Sequence, residues 1–140
     1  MIKEKFNLEG KVAVITGASK GIGKAIALGF AEFGAHVIVS SRSEEAVKNV
    51  ETEFKSKGYS VSSLKCHVGN KEDRINLIET TLKAHGRIDI LVNNAGTNPY
   101  FGPIHKMPAE AYQKTMDINL NSAIELSNLV YPIMKSQNSG

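Results

Sequence analysis

Lys11-Val-Ala-Val-Ile-Thr16-Gly17-Ala-Ser-Lys20-Gly21-Ile-Gly23 changes its periodicity in the middle, and that change decides the fold. Up to Thr16 the run is short, apolar and β-branched, the pattern of a strand buried on both faces, and Gly17 marks a turn. From Gly21 the spacing becomes helical. Ile22, Ile26, Phe30 and Phe33 predict a buried stripe on a helix that Gly34 stops with a left-handed residue.

The same unit recurs downstream. Ala35 to Ser40 reads as a second apolar strand, Ser43 as the N-cap of a helix with Val47, Val50 and Phe54 inward, and Gly58 as its end. A third strand runs from Val61 to about Val68. A helix capped near Asn70 follows, with Ile75, Ile78 and Leu82 facing inward and Gly86 closing it, and Arg87 to Val92 makes a fourth strand. Strands alternating with helices require a parallel sheet covered on both faces, because right-handed crossovers lay successive helices against it. Beyond an irregular stretch from Gly96 to Pro108, one long helix is expected from about Ala109 to Lys135, with Pro108 at its first turn. The predicted fold is α/β: a single domain over residues 1–140, a doubly wound parallel sheet of about four strands in the order 3-2-1-4.

Composition narrows the function classes. With 140 residues and 41% hydrophobic content, the chain can bury one sizeable core. Its net charge is only +3, with both signs interspersed, which speaks against nucleic acid as a partner but allows a small anion where cations converge. The polar, charged start from Met1 to Gly10 and the lack of any span-length apolar run predict no membrane partner and a cytoplasmic protein. Cys66 is the single cysteine and reads as a core thiol in a reducing compartment. His36, His85 and His105 are scattered without metal-ligand spacing, so no metal site is expected.

The loop between the first strand and the first helix is where backbone N–H groups and a helix dipole can meet a pyrophosphate. Side chains at 17, 21 or 23 would keep the backbone from the phosphates or the helix from the sheet. Thr16 to Gly23 resembles, residue by residue, the T-G-x-x-x-G-I-G motif of short-chain dehydrogenases/reductases, and Asn93-Asn-Ala-Gly96 after the fourth strand resembles that family's second signature. The resemblance runs from Leu8 onward. It implies a Rossmann-type fold and a nicotinamide cofactor held by Gly17, Ser19, Lys20, Gly21, Ile22 and Gly23, with Asn94, Ala95 and Gly96 beneath the nicotinamide ribose.

The cofactor's identity turns on the end of the second strand. NAD-binding units place a carboxylate there for the ribose hydroxyls, whereas this chain has Ser40-Ser41-Arg42. A guanidinium can grip a 2′-phosphate in a bidentate fork, and Lys20 adds a second cation, so NADP(H) is expected; the bland reading is two solvated surface cations. Where many family members carry an Asp near the adenine, this chain has Cys66-His67-Val68-Gly69, leaving His67 either on the adenine edge or in a surface loop. That string resembles the carbonyl and retinal reductase branch.

The family's chemistry uses a Ser, a Tyr and a Lys, because a phenol with an unperturbed pKa near 10 needs a neighbouring cation to act as a base. An Asn that kinks the long helix joins them, and by resemblance it is Asn119 in Asp117-Ile-Asn-Leu. The other three are expected beyond Gly140, so the chain is expected to be an incomplete domain, inactive by itself. Tyr131 and Lys135 have the Y-x-x-x-K spacing but lie in the Asn119 helix, where Tyr131 is expected to pack and Lys135 to be solvated. Three readings compete: the front half of an NADP-dependent oxidoreductase acting on a small carbonyl or alcohol, a non-catalytic NADP(H)-binding module, or a half-fold completed by a separate chain. The uncovered fourth strand invites self-pairing, so a homo-oligomer is expected.

Overall fold

The computed structural model describes residues 2–140, and side chains from Glu4 onward. A short helix α1 (Ile2–Lys5) precedes four parallel strands, β1 (Val12–Thr16), β2 (His36–Ser41), β3 (Val61–Lys65) and β4 (Ile90–Val92), hydrogen-bonded in the order β3-β2-β1-β4. The register sets Thr16 beside Ser40, Ser41 beside Lys65, and Ile15 beside Val92, so the carboxyl ends of all four strands meet along one edge. Helices α2 (Gly21–Glu32), α3 (Glu44–Ser56) and α4 (Lys71–His85) follow the first three strands.

The pleat divides the core in two. Ala13, Ile15, Val37 and Val39 pack with Ala27, Ala31, Val47, Val50 and Phe54 on one face. Val12, Val14 and Ile38 pack with Leu77, Ile78, Ile118, Leu126 and Val130 on the other. Successive strand side chains point to opposite faces, and both faces are covered, which is why the strand segments read as unbroken apolar runs.

The predicted caps form. The Ser43 hydroxyl accepts from the Ala46 N–H, the Asn70 side chain accepts from the Asp73 N–H, and Gly86 ends α4 at φ +72°. The α2 stripe is a correction. Ile22 is 74% exposed, and the helix buries Gly23, Ala27 and Ala31 instead. Small residues bring its axis close to the sheet, leaving the larger Ile26 and Phe30 at the margin. In α4 the buried residues are Leu77, Ile78 and Thr81, with Ile75 and Leu82 half-buried. The third and fourth strands are shorter than expected, although Ile88 and Asp89 ahead of β4 are buried and the Asp89 N–H already bonds the Val12 carbonyl.

The long helix is interrupted at Asn119, where the resemblance implies a kink, and is divided in two by the interruption. It forms as α5 (Ala109–Met116) and α6 (Ser122–Gln137), joined by one π-helical turn over Asp117–Asn121 that contains Asn119. Such a turn admits an extra residue into the ladder, re-aiming the side chains beyond it. Gln137 at the end of α6 bonds both the N–H and the carbonyl of Ile88, tying this helix to the start of β4.

Candidate functional site

A cleft of about 240 Å³ lies at the carboxyl ends of β1, β2 and β4, between the glycine loop and α5. Its floor is fixed by Thr16. The Thr16 Oγ1 accepts from the N–H groups of Asn94 (3.1 Å) and Ala95 (3.0 Å), and donates to the Val92 carbonyl (3.3 Å). Asn94 completes the clasp by donating its Nδ2 to the carbonyls of Thr16 (3.0 Å) and Gly17 (3.1 Å). Two loops distant in sequence thereby hold each other.

This clasp explains two of the glycines. A Cβ on Gly23 would sit 2.4 Å from the Gly17 carbonyl oxygen and 2.5 Å from the Asn94 Nδ2. On Gly17, at φ +64°, it would stand 3.0 Å from the Ala95 Cα. Both positions lack room because α2 and the Asn94 loop press on the same backbone.

The amino end of α2 differs from those of α3 and α4. It has no side-chain cap and no acidic residue in its first turn, whereas α3 and α4 have Ser43 and Asn70 caps and two acids each. Its first N–H groups and the positive end of its dipole are left for an anion. Lys20 and Arg42, both exposed, line the cleft, and neither forms an ion pair among the described residues. Ser41 turns its hydroxyl onto the Ser43 backbone, forming the bend that carries Arg42.

Opposite, Cys66, His67 and Val68 form a wall. The His67 N–H donates to Asp73 (2.8 Å), and Arg74 donates to the Val68 carbonyl (2.7 Å), so α4 clamps this turn. The Gly69 N–H donates to the His67 Nδ1 (3.1 Å), which puts the neutral ring's proton on Nε2 as a free donor. Burial, with the Asp73 charge, pushes the Cys66 thiol up to about 11, so it stays protonated and acts as an apolar wall.

Of the residues singled out from sequence, Gly17, Ser19, Lys20, Ser41, Arg42, His67, Val68, Asn94, Ala95 and Gly96 all line this cleft. Gly21, Ile22 and Gly23 do not: Gly21 turns the loop at φ +57°, Ile22 faces solvent, and Gly23 packs under Asn94. Asn119 stands just outside, its Oδ1 accepting from the Thr97 N–H (2.7 Å) and its Nδ2 donating to the Thr97 carbonyl (2.8 Å). It thus pins the loop after Gly96 to the π turn. Tyr131 is 62% exposed instead of packed, with the Lys135 ammonium 5.8 Å from its ring, and neither lines the cleft. The sequence reading missed Cys66, Thr97, Lys114 and Ile118 in the lining. The i, i+4 spacing of Lys114 and Ile118 was the available signal, and it gains meaning only once α5 is known to face the glycine loop.

Comparisons with known proteins agree with this geometry. Human dehydrogenase/reductase SDR family member 4 is 44% identical over 133 residues, covering 95% of this chain and 48% of the relative. Its Caenorhabditis elegans counterpart is 36% identical, covering 94% and 51%. The chain therefore spans about half the length of the curated relatives it matches. A metagenomic short-chain oxidoreductase solved in complex with NADP superposes with a TM-score of 0.90 at 36% identity, over 95% of this chain and 60% of that one. A 7 alpha-hydroxysteroid dehydrogenase solved with NADH and 7-oxo glycochenodeoxycholic acid gives 0.89 at 36% identity, over 94% and 51%. The family profile described as short chain dehydrogenase matches residues 11–140, and with the strand order and the glycine-loop clasp in place, the chain belongs to the short-chain dehydrogenase family.

Proposed function

We propose that the cleft binds NADP(H), and that this chain is the cofactor-binding half of an oxidoreductase interconverting a small alcohol and its carbonyl compound. The observation that carries the choice of cofactor is the pair of unpaired cations, Lys20 and Arg42, on the cleft wall where no carboxylate stands at the end of β2. The uncapped amino end of α2, with Gly17, Ser19 and Gly21, receives the pyrophosphate, and Gly23 lets the helix sit close enough to do so. Arg42 and Ser41 hold the 2′-phosphate, and Lys20 adds charge to it. The His67 Nε2 donates to the adenine edge beside Val68, while Asn94, Ala95 and Gly96 support the nicotinamide ribose. When bound, the cofactor supplies or takes up a hydride. Asn119 holds the loop beyond Gly96 in place beside the reacting end.

Titration of the protein with NADPH and with NADH, followed by cofactor fluorescence, tests the reading. NADPH is expected to bind at least about tenfold more tightly, since one charge-assisted hydrogen bond is worth roughly 1.5–3 kcal/mol. Equal affinities would exclude it. The string Cys66-His67-Val68-Gly69, which resembles the carbonyl and retinal reductase branch, favours a carbonyl as the substrate.

A second reading, a half-fold that assembles with further polypeptide, is favoured by β4. Its three residues are only half-buried, β1 is its one partner among the described strands, and Ile90, Leu91, Val130 and Met134 line an open depression beside it. An uncovered parallel edge over an apolar floor needs a partner, either a fifth strand or another copy. Sedimentation of the 140-residue chain is expected to show species larger than a monomer.

A further inference from the structure

We infer that Lys65 is a third phosphate-binding cation, which with Arg42 brackets the adenosine 2′-phosphate from the neighbouring strand. The inference rests on the NADP(H) reading and adds to it a residue that no glycine-loop or strand-end pattern points to. Lys65 is the last residue of β3, and the parallel register places it directly beside Ser41 at the end of β2. The Cys66 N–H bonds the Ser41 carbonyl (2.9 Å), so the two strand ends remain paired where Arg42 departs. Paired residues of adjacent strands project from the same face of a sheet, so Lys65 leaves on the side of Ser41, toward the amino end of α3.

A surface depression next to the cleft is lined by Arg42, Lys65, His67, Gly69, Asn70 and Asp73. Arg42 and His67 also line the cleft, so the depression continues it outward past the second strand. Asp73 is the one carboxylate in this lining, and it forms no ion pair among the described residues. Asp73 accepts from the His67 N–H and, through its own N–H, is capped by Asn70. On α3, Glu44 is held by Lys48 at 2.6 Å, which with a smaller influence of the Lys65 charge keeps its carboxyl below the usual range. Lys65 forms no ion pair among the described residues, nor does Arg42. Two unpaired cations at paired strand ends, over a recess that opens from the cleft, suit a dianionic phosphate monoester better than a ribose hydroxyl pair. An ammonium on a flexible stem can reach such a group without the planar geometry that Arg42 demands.

Lys65→Gln and Lys65→Arg variants, alongside Arg42→Ala, are to be titrated with NADPH, NADH, adenosine 2′,5′-bisphosphate and 5′-AMP. Lys65→Gln is expected to weaken NADPH and the bisphosphate by about fivefold, less than one bidentate guanidinium contact, while leaving NADH and 5′-AMP unchanged. Lys65→Arg is expected to restore most of the loss. Unchanged NADPH binding in Lys65→Gln, or equal losses for NADPH and NADH, overturns the inference. If instead the unaltered protein binds the bisphosphate no better than 5′-AMP, the NADP(H) reading itself fails and takes the role of Lys65 with it. A preference that Arg42→Ala abolishes and Lys65→Gln preserves rejects Lys65 alone.

Discussion

The two ends of the sheet use charge in opposite ways. At the amino end, Asp89 is almost fully buried and every oxygen is used. Its Oδ2 accepts from the Val12 N–H and Arg87 Nε, its Oδ1 from the Arg87 Nη2 at 2.6 Å, and Lys11 lies 3.6 Å away. Nearby, the His36 ring nitrogens meet the hydroxyls of Ser60 (2.6 Å) and Ser62 (2.9 Å), and the ring lies 4.1 Å from that of His85, tilted by 39°. At the carboxyl end, Lys20, Arg42 and Lys65 form no ion pair among the described residues. A charge satisfied inside the chain holds the fold; a charge left over at a cleft is available to a ligand. Substitutions at the first end should therefore change stability without changing cofactor preference, and those at the second the reverse.

The largest effect is expected at Asp89. Asp89→Ala leaves the buried Val12 N–H without its acceptor, while Arg87 and Lys11 turn to solvent, so stability should fall by about 1–3 kcal/mol in chemical denaturation. The NADPH-to-NADH affinity ratio of the folded fraction should not move; if it does, the ends are coupled and the contrast fails. Gly23→Ala is next and touches both properties. Its methyl meets the Gly17 carbonyl and Asn94, so about 2 kcal/mol of stability should be lost. Calorimetric titration should show NADPH and NADH weakened together, since the loop they share is displaced.

Arg42→Ala isolates the second end. NADPH affinity should fall about tenfold while NADH affinity and the melting temperature stay the same, because the side chain has no partner in the fold to lose. A lower melting temperature would mean that Arg42 is a structural residue after all.

The smallest effect is on pH dependence. Burial holds the His36 pKa below 6.5, helped by the charges of His85 and Lys55 and opposed by Glu51. The folded protein thus favours the neutral ring, and between the folded pKa and 6.5 the unfolded chain binds more protons. The stability this contributes is complete above pH 6.5 and is lost as pH falls through the folded value. Asp89 has its pKa lowered, chiefly by Arg87, so its contribution is complete above the ordinary carboxylate value and is lost only at more acid pH. Melting temperatures across pH 7 to 3 should fall in two stages, and His36→Gln should remove the first. A single stage unaffected by that substitution would show that His36 does not report on this end.

How much was legible follows the range of each interaction. The caps Ser43, Asn70 and Gly86 are satisfied within three or four residues, and all were readable. The buried face of α2 was not, because side-chain size marks hydrophobicity, whereas close packing on a sheet selects Gly23, Ala27 and Ala31. Tyr131 misled in the same way: an aromatic residue at helical spacing sits at the uncovered edge. The π turn at Asn119 left no periodic signature, since it shifts the ladder by one residue.

The sequence by itself determined the alternation of strand and helix, the glycine loop and the missing carboxylate after β2, for these depend on local periodicity, local backbone freedom and local charge. Only the tertiary structure decided that Thr16 and Asn94 clasp two loops nearly eighty residues apart, that Asn119 is committed to Thr97, and that Lys65 stands beside Ser41. Strand order and register set those neighbours. They follow from how every element packs at once, not from the residues adjacent in the chain.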